Sequence, residues 1–219
     1  MTIFICGDST AANYPPEQAP QTGWGQLLGE LTGGVPVVNC AMGGRSTKSF
    51  ISEGRLVGIE KQLRPGDLML IQFAHNDESD LVWRHTDPWT SYINNLAIFV
   101  DTARLYKAVP VLMTPICMRL WQDGQLAESH GDYIKAVHYL AEQRNVPLID
   151  MYGKSRELAE KLGEEGSRTL FMHLEKGAYP AFPEGREDNA HTQRAGAAAF
   201  ARIAAEELKR LNLIRESVL

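Results

Sequence analysis

Residues Met1 to Pro16 read MTIFICGDSTAANYPP, and within them the apolar run Ile3–Cys6 stops abruptly at Gly7-Asp8-Ser9-Thr10. A short apolar run bounded by turn-forming residues is the pattern of a strand buried on both faces. The polar residues after it have two readings. Asp and Ser bond readily to their own backbone, so the tetrapeptide can be an ordinary turn. Alternatively, it holds Ser9 at the end of a strand, where a reacting group can be attacked. What the rest of the chain brings to the same end of the sheet decides between them.

Four more runs rich in Val, Ile and Leu follow, at Val35–Ala41, Asp67–Ala74, Val109–Thr114 and Val146–Met151. Helical patterns separate them: Trp24–Leu31, Thr47–Leu63 with a break near Gly54, Pro88–Lys107 and Asp132–Arg144. A last helix, about Thr192 to Leu211, aligns Phe200, Ile203, Ala204, Leu208 and Leu211 on one face. Strands alternating with helices predict an α/β fold with a parallel sheet covered on both sides. The expectation is one three-layer α/β/α domain over residues 1–219, with the common doubly wound strand order 2-1-3-4-5. Three stretches after strands, His75–Asp87, Pro115–His130 and roughly Gly166–Ala190, read as long loops. Ligands of open parallel sheets bind beyond the carboxyl ends of the strands, so these loops are candidates to build a site.

The totals narrow the partners. The chain of 219 residues is 44% hydrophobic and 22% charged, with a net charge of −5, which suits a soluble globule and argues against a nucleic-acid partner, whose phosphates require a basic face. No apolar run approaches the ~20 residues of a membrane span. Cys6, Cys40 and Cys117 form no CxxC pair and show no metal-ligand spacing. They read as buried, reduced thiols, and without a secretory signal the expected compartment is the cytoplasm. No metal and no cofactor are expected.

Four polar segments remain, three of them directly after strands: Gly7-Asp8-Ser9-Thr10, Gly43-Gly44-Arg45-Ser46, His75-Asn76-Asp77, and Asp188-Asn189-Ala190-His191 just before the last helix. They are complementary for acyl transfer. A serine hydroxyl needs a base to take its proton, and histidine is the usual one. A carboxylate must hold the other ring nitrogen, and donors must meet the oxyanion. Ser9, His191 and Asp188 supply the first three. The backbone N–H groups of Ser9 and Gly44, with the Asn76 amide, supply the donors. Of the six histidines only His191 has an Asp three positions before it. On a turn entering a helix, residues at that spacing converge, and the positive helix end would disfavour the imidazolium. Each segment alone also has a structural reading as a turn or a cap; it is the set that points to chemistry.

The four blocks resemble those of the SGNH (GDSL-type) hydrolases, reading here as GDST, the glycine of GGRS, the asparagine of HND, and DNAH. The resemblance runs from Phe4 to His191. It implies a flavodoxin-like sandwich with Ser9 as nucleophile, Gly44 and Asn76 as oxyanion donors, and Asp188 and His191 completing a triad. TGWGQLL, NCAMGGRSTKSF and QFAHND are similar to the rhamnogalacturonan acetylesterase branch, whose members remove O-acetyl groups from pectin-derived sugars. A glycine often precedes HND in that branch; Ala74 stands there in this chain. For an acetylated oligosaccharide, Trp83, Trp89, Trp121 and Tyr179 can stack on pyranose rings, or can pin their loops to the body. Arg45, Arg84 and Arg119 can pair with uronate carboxylates, or be plain surface charge. His75, beside Asn76, joins these substrate-contact candidates. A lipase or thioesterase on the same triad is the alternative enzyme. A flavodoxin-like nucleotide or flavin module is the alternative binding protein, with Asp8 against it because a carboxylate repels phosphate.

Overall fold

The computed structural model describes residues 1–215. Its centre is a parallel sheet of β1 (Ile3–Gly7), β2 (Val37–Asn39), β3 (Leu68–Gln72), β4 (Val109–Met113) and, after a small hairpin of β5 (Trp121–Gln122) and β6 (Gln125–Leu126), β7 (Leu148–Ile149). The order is β2-β1-β3-β4-β7, so the five sheet strands, taken in chain order, follow the expected 2-1-3-4-5. Alternate residues serve opposite faces. Ile3, Ile5, Leu70 and Val111 pack under one layer, α1 (Trp24–Leu27) with two helices from the end of the chain. Phe4, Cys6, Met69, Ile71 and Leu112 pack under the other, formed by α2 (Thr47–Ser52), α3 (Arg55–Glu60), α4 (Ile93–Leu105) and α5 (Asp132–Arg144). Phe50, Phe73 and Phe99 meet there with ring centroids 5.4–5.7 Å apart, each fully buried and contributing ~1.5–3 kcal/mol by burial.

The break expected near Gly54 is real: Gly54 takes φ 72° between α2 and α3. The β5–β6 hairpin lies inside Pro115–His130, which the sequence reads as a loop, and two larger elements also differ from the sequence reading. Met151–Ser167 is a helix, α6, capped by the Asp150 side chain accepting from Gly153 N–H at 3.1 Å. After Met151 its buried positions are Ser155, Ala159 and Ser167, small residues with almost no apolar signal. Gly163, at φ 73°, also interrupts its helical pattern. The supposed loop Gly166–Ala190 contains β8 (Phe171–Leu174) and the start of β9 (Arg186–Thr192), which pair antiparallel. The final helix is α7 (Arg194–Arg210), and α1, α6 and α7 make up the layer over Ile3 and Ile5. No helix among the described residues is long and apolar enough to cross a membrane.

Candidate active site

Because β1, β2 and β3 are parallel and adjacent, the segments after them emerge at one end. Ser9 follows β1, Gly43 and Gly44 follow β2, and His75 and Asn76 follow β3. Met42 N–H donates to the Gly7 carbonyl at 3.0 Å, which lays the second segment beside the first. A Cβ built on Gly43 would lie 3.8 Å from the Ser9 Cβ. Asn76 Nδ2 donates to the Arg45 carbonyl at 3.1 Å and so joins the third segment to the second. Gly44 has φ 78°, and a Cβ added to it would meet nothing within 4 Å. The positive φ by itself favours glycine at this position.

The fourth segment arrives on β9, not on a turn entering a helix. Phe171 pairs with Thr192 while the next residue, Met172, pairs with Asp188, so Asn189–His191 bulge out of the ladder. Such bulges re-aim side chains. Asp188 Oδ1 accepts from the N–H groups of Ala190 and His191, each at 2.9 Å, and Oδ2 lies 2.8 Å from His191 Nδ1. Arg186, two residues earlier on the strand, donates to Asp188 Oδ2 and, at 3.0 Å, to Gln21 Oε1. Burial works to raise the Asp188 carboxyl, but the His191 side-chain and backbone bonds, with that of Ala190, hold it well below the usual carboxylate range.

The hairpin is clasped to the Ser9 segment. Thr22 N–H donates to the Thr192 carbonyl at 3.0 Å, Thr192 Oγ1 donates back to the Thr22 carbonyl, and Trp24 N–H donates to the Thr10 carbonyl at 3.0 Å. Two short hydrogen-bonded steps therefore connect the neighbour of His191 with the neighbour of Ser9. Tyr14 Oη also holds the Ser9 carbonyl at 2.8 Å. Among the described residues Ser9 and His191 share no hydrogen bond, and the N–H groups of Ser9 and Gly44 have no acceptor. Catalytic contacts of this kind commonly tighten only when substrate is bound.

Beneath the site lies a buried charge cluster. Asp8 Oδ1 accepts from Thr10 N–H and Oγ1 at 2.9 and 2.8 Å, while Oδ2 faces His75 Nδ1 at 3.6 Å. The His75 ring stands edge-on to His130 with centroids 4.4 Å apart. His130 contacts Glu78 Oε1 at 3.1 Å and the Ile116 carbonyl at 3.0 Å. Burial opposes both charges of the Asp8–His75 pair. Their mutual attraction nevertheless lowers the Asp8 carboxyl and raises the His75 imidazole, and Glu78 and Asp188 also favour the imidazolium.

Several substrate-contact expectations change. The His75 side chain is only 8% exposed and faces Asp8, so it is not open to a sugar. Arg119 is 7% exposed; its guanidinium donates to Ser167 Oγ and the Glu164 carbonyl, and its backbone N–H to the Asn189 carbonyl at 2.8 Å. Burial of that fork against α6 removes Arg119 from the set. Trp121 Nε1 donates to the same Ser167 Oγ at 3.0 Å and anchors the β5–β6 hairpin. Trp89 donates to Asp132 at 3.1 Å and packs against Tyr139 on α5. Arg45 is held by Glu53 at 3.0 Å and by the Gly43 carbonyl at 2.9 Å. Tyr179 bridges Phe182 in the turn between β8 and β9. Trp83 is 51% exposed, with the Arg84 guanidinium over its ring, and Arg84 in turn donates to Asn76. Sequence reasoning missed Arg186, Tyr14 and Arg84's contact with Asn76. Only Arg186 carried a signal, its i, i+2 spacing to Asp188 on a strand. A groove of about 510 Å³ between α6 and α7, lined by Lys154, Leu158, Ala199 and Ile203, contains none of the four blocks.

Residues 5–199 match the GDSL-like lipase/acylhydrolase family. The chain belongs to this family. It is 40% identical to the rhamnogalacturonan acetylesterase RhgT of Bacillus subtilis, over 96% of this chain and 90% of that one. Among solved structures, YxiM of Bacillus subtilis superposes with a TM-score of 0.81 at 30% identity, covering 96% of this chain and 56% of that longer one. The acetylxylan esterase Axe2 of Geobacillus stearothermophilus, at 17% identity, shares the fold with a TM-score of 0.70 over 98% of this chain and 96% of that one.

Proposed function

We propose that the protein is a carbohydrate O-acetylesterase that releases acetate from acetylated, pectin-derived oligosaccharides of the rhamnogalacturonan type. Residues 1–219 form its one catalytic domain. Ser9 attacks the acetyl carbonyl while His191 Nε2 takes the hydroxyl proton, and Asp188 holds Nδ1 and stabilises the imidazolium. The N–H groups of Ser9 and Gly44 and the Asn76 amide receive the oxyanion. The tetrahedral intermediate collapses and expels the sugar hydroxyl, protonated by His191. Water activated by the same imidazole then releases acetate from Ser9. The observation that carries this reading is the Asp188–His191 pair, 2.8 Å apart on a hairpin clasped to the Ser9 segment. Similarity to RhgT, a rhamnogalacturonan acetylesterase, and the exposure of Trp83 support a sugar substrate over a lipid or thioester. The three free thiols suit a reducing compartment such as the cytoplasm.

The test is acetate release from acetylated rhamnogalacturonan fragments, with acetylated xylan and long-chain p-nitrophenyl esters alongside. The first should be turned over best. Ser9→Ala should lower kcat by at least ~10³ with an unchanged melting temperature. A preference for long acyl chains, or substantial turnover by that variant, would overturn the reading.

A further inference from the structure

The side-chain amide of asparagine has two ends of nearly equal shape and opposite function. A half-turn about χ2 exchanges a donor for an acceptor. At an oxyanion site that exchange reverses the sign of the contribution, because a carbonyl oxygen turned toward developing negative charge repels it. Asn76 therefore needs something that distinguishes its two ends.

Two neighbours do so. Arg84 Nη1 donates to Asn76 Oδ1 at 2.9 Å, and the Arg45 carbonyl accepts from Asn76 Nδ2 at 3.1 Å. In the reversed amide, NH₂ would face a guanidinium, which has no acceptor, and oxygen would face a carbonyl, which has no donor. Only one hydrogen of Nδ2 is engaged, so the other stays available for substrate. Arg84 is itself held in place. Its guanidinium lies over the Trp83 ring, 5.3 Å from the centroid, and its backbone N–H donates to the Leu81 carbonyl at 2.9 Å. Among the described residues no carboxylate pairs with it, and its buried Nε has no partner. The positive charge beside Asn76 is thus not neutralised locally.

We propose that Arg84 is a positioning residue: its guanidinium fixes the amide plane of Asn76 so that a donor, and not an acceptor, faces the acyl oxygen. The inference rests on the reading of Asn76 as an oxyanion donor. It replaces the assignment of Arg84 to a uronate carboxylate, and the two differ in what they demand. A carboxylate-binding arginine matters only for acidic sugars and acts mainly on KM. A positioning arginine matters for every ester and acts on kcat.

The experiment is a double-mutant cycle on p-nitrophenyl acetate, which has no carboxylate. Asn76→Ala should lower kcat by ~10²–10³. Arg84→Met should lower kcat by ~10- to 100-fold with KM within about twofold, and should have almost no further effect in the Asn76→Ala background. Arg84→Lys, which keeps a donor but loses the fork, should fall between wild type and Arg84→Met. If Arg84→Met does not fold, Arg84→Lys carries the same cycle. Equal losses in both backgrounds, an unchanged kcat, or a KM effect confined to uronate substrates would overturn the inference while leaving Asn76 in its role. An unchanged kcat in Asn76→Ala alone would remove the oxyanion reading first, and this inference with it.

Discussion

Asp188 and His191 meet at 2.8 Å because three residues of β9 have no partners opposite them. A regular strand would carry the two side chains to opposite faces, since they are an odd number of residues apart. The bulge removes that constraint. The Asp188 carboxylate then closes it from inside, accepting both the Ala190 and the His191 N–H groups. One side chain thus shapes the backbone that presents the imidazole and also selects the ring nitrogen that carries hydrogen.

Asp188→Asn separates those tasks. The amide can still accept from the backbone, but it no longer stabilises an imidazolium. A drop of ~10⁴ in kcat on p-nitrophenyl acetate is expected, with circular dichroism unchanged. The native carboxyl sits below its ordinary range, so its contribution to stability is present above the unfolded carboxylate value, ~3.9, and is lost as pH falls further. Loss of activity between pH 5 and 7 therefore does not come from protonation of Asp188. A kcat for Asp188→Asn within tenfold of wild type would rule out its role.

Gly44→Ala tests the backbone at the second block. Space is not limiting, since a Cβ there meets nothing within 4 Å, but φ is 78°. Holding alanine in that conformation costs ~1–2 kcal/mol, and relief would swing the Gly44 N–H away from the site. The expectation is a modest fall in melting temperature and a fall in kcat of about tenfold or more. A stability loss with kcat intact would show that this N–H does not face the reaction.

His75, which sequence reasoning assigned to substrate, forms a buried pair with Asp8. In His75→Phe the Asp8 carboxylate keeps Thr10 but loses the group facing Oδ2. Removing one partner of a buried ion pair typically costs ~3–5 kcal/mol, read here by urea unfolding. Asp8→Asn in the same background should restore part of the loss. The lowered Asp8 pKa and the raised His75 pKa set the sign. The Asp8 contribution is present above ~3.9 and disappears as pH drops through its folded value. The His75 contribution is complete below ~6.5 and fades as pH climbs through its raised value. Additive losses in the double variant would show the two groups to be uncoupled.

The sheet was legible because its strands are near-continuous apolar runs, Leu68–Gln72 being the clearest, and such runs occur where both faces are buried. Ser9, Gly44 and Asn76 were legible as positions because each ends or follows such a strand. What surrounds them was not. Helix α6 buries Ser155 and Ala159 where a periodic apolar stripe would be sought. Strand β9, Arg186–Thr192, is almost wholly polar because it stands at the site and not in the core. The arginines were legible as charges but not as partners. Arg119 lies 45 and 48 residues from Glu164 and Ser167, which it binds, and no local pattern encodes such a contact. Ala74 has φ 157°, a conformation glycine enters more freely, which gives the departure from glycine before the HND block a physical meaning.

Asp77 gives the protein a pH dependence opposite to that of Asp188. It is fully buried, and burial pushes its carboxyl up to about 7. The bonds from Thr47 N–H, Thr47 Oγ1 and Thr86 Oγ1 oppose that rise, and the Asp8 carboxylate adds to it. A carboxyl raised on folding stabilises the native state below its unfolded value, ~3.9, and that stabilisation is lost as pH rises through about 7. Wild-type stability should therefore decline between pH 4 and 7 through this group, a window above that in which Asp8 and Asp188 titrate. Asp77→Asn keeps an oxygen for the Thr47 and Thr86 donors and cannot ionise. Its unfolding free energy, measured by urea titration at pH 5 and again at pH 7.5, should change less between the two values than that of wild type. An equal or steeper decline in the variant would show that Asp77 is ionised throughout, with the three threonine donors outweighing its burial.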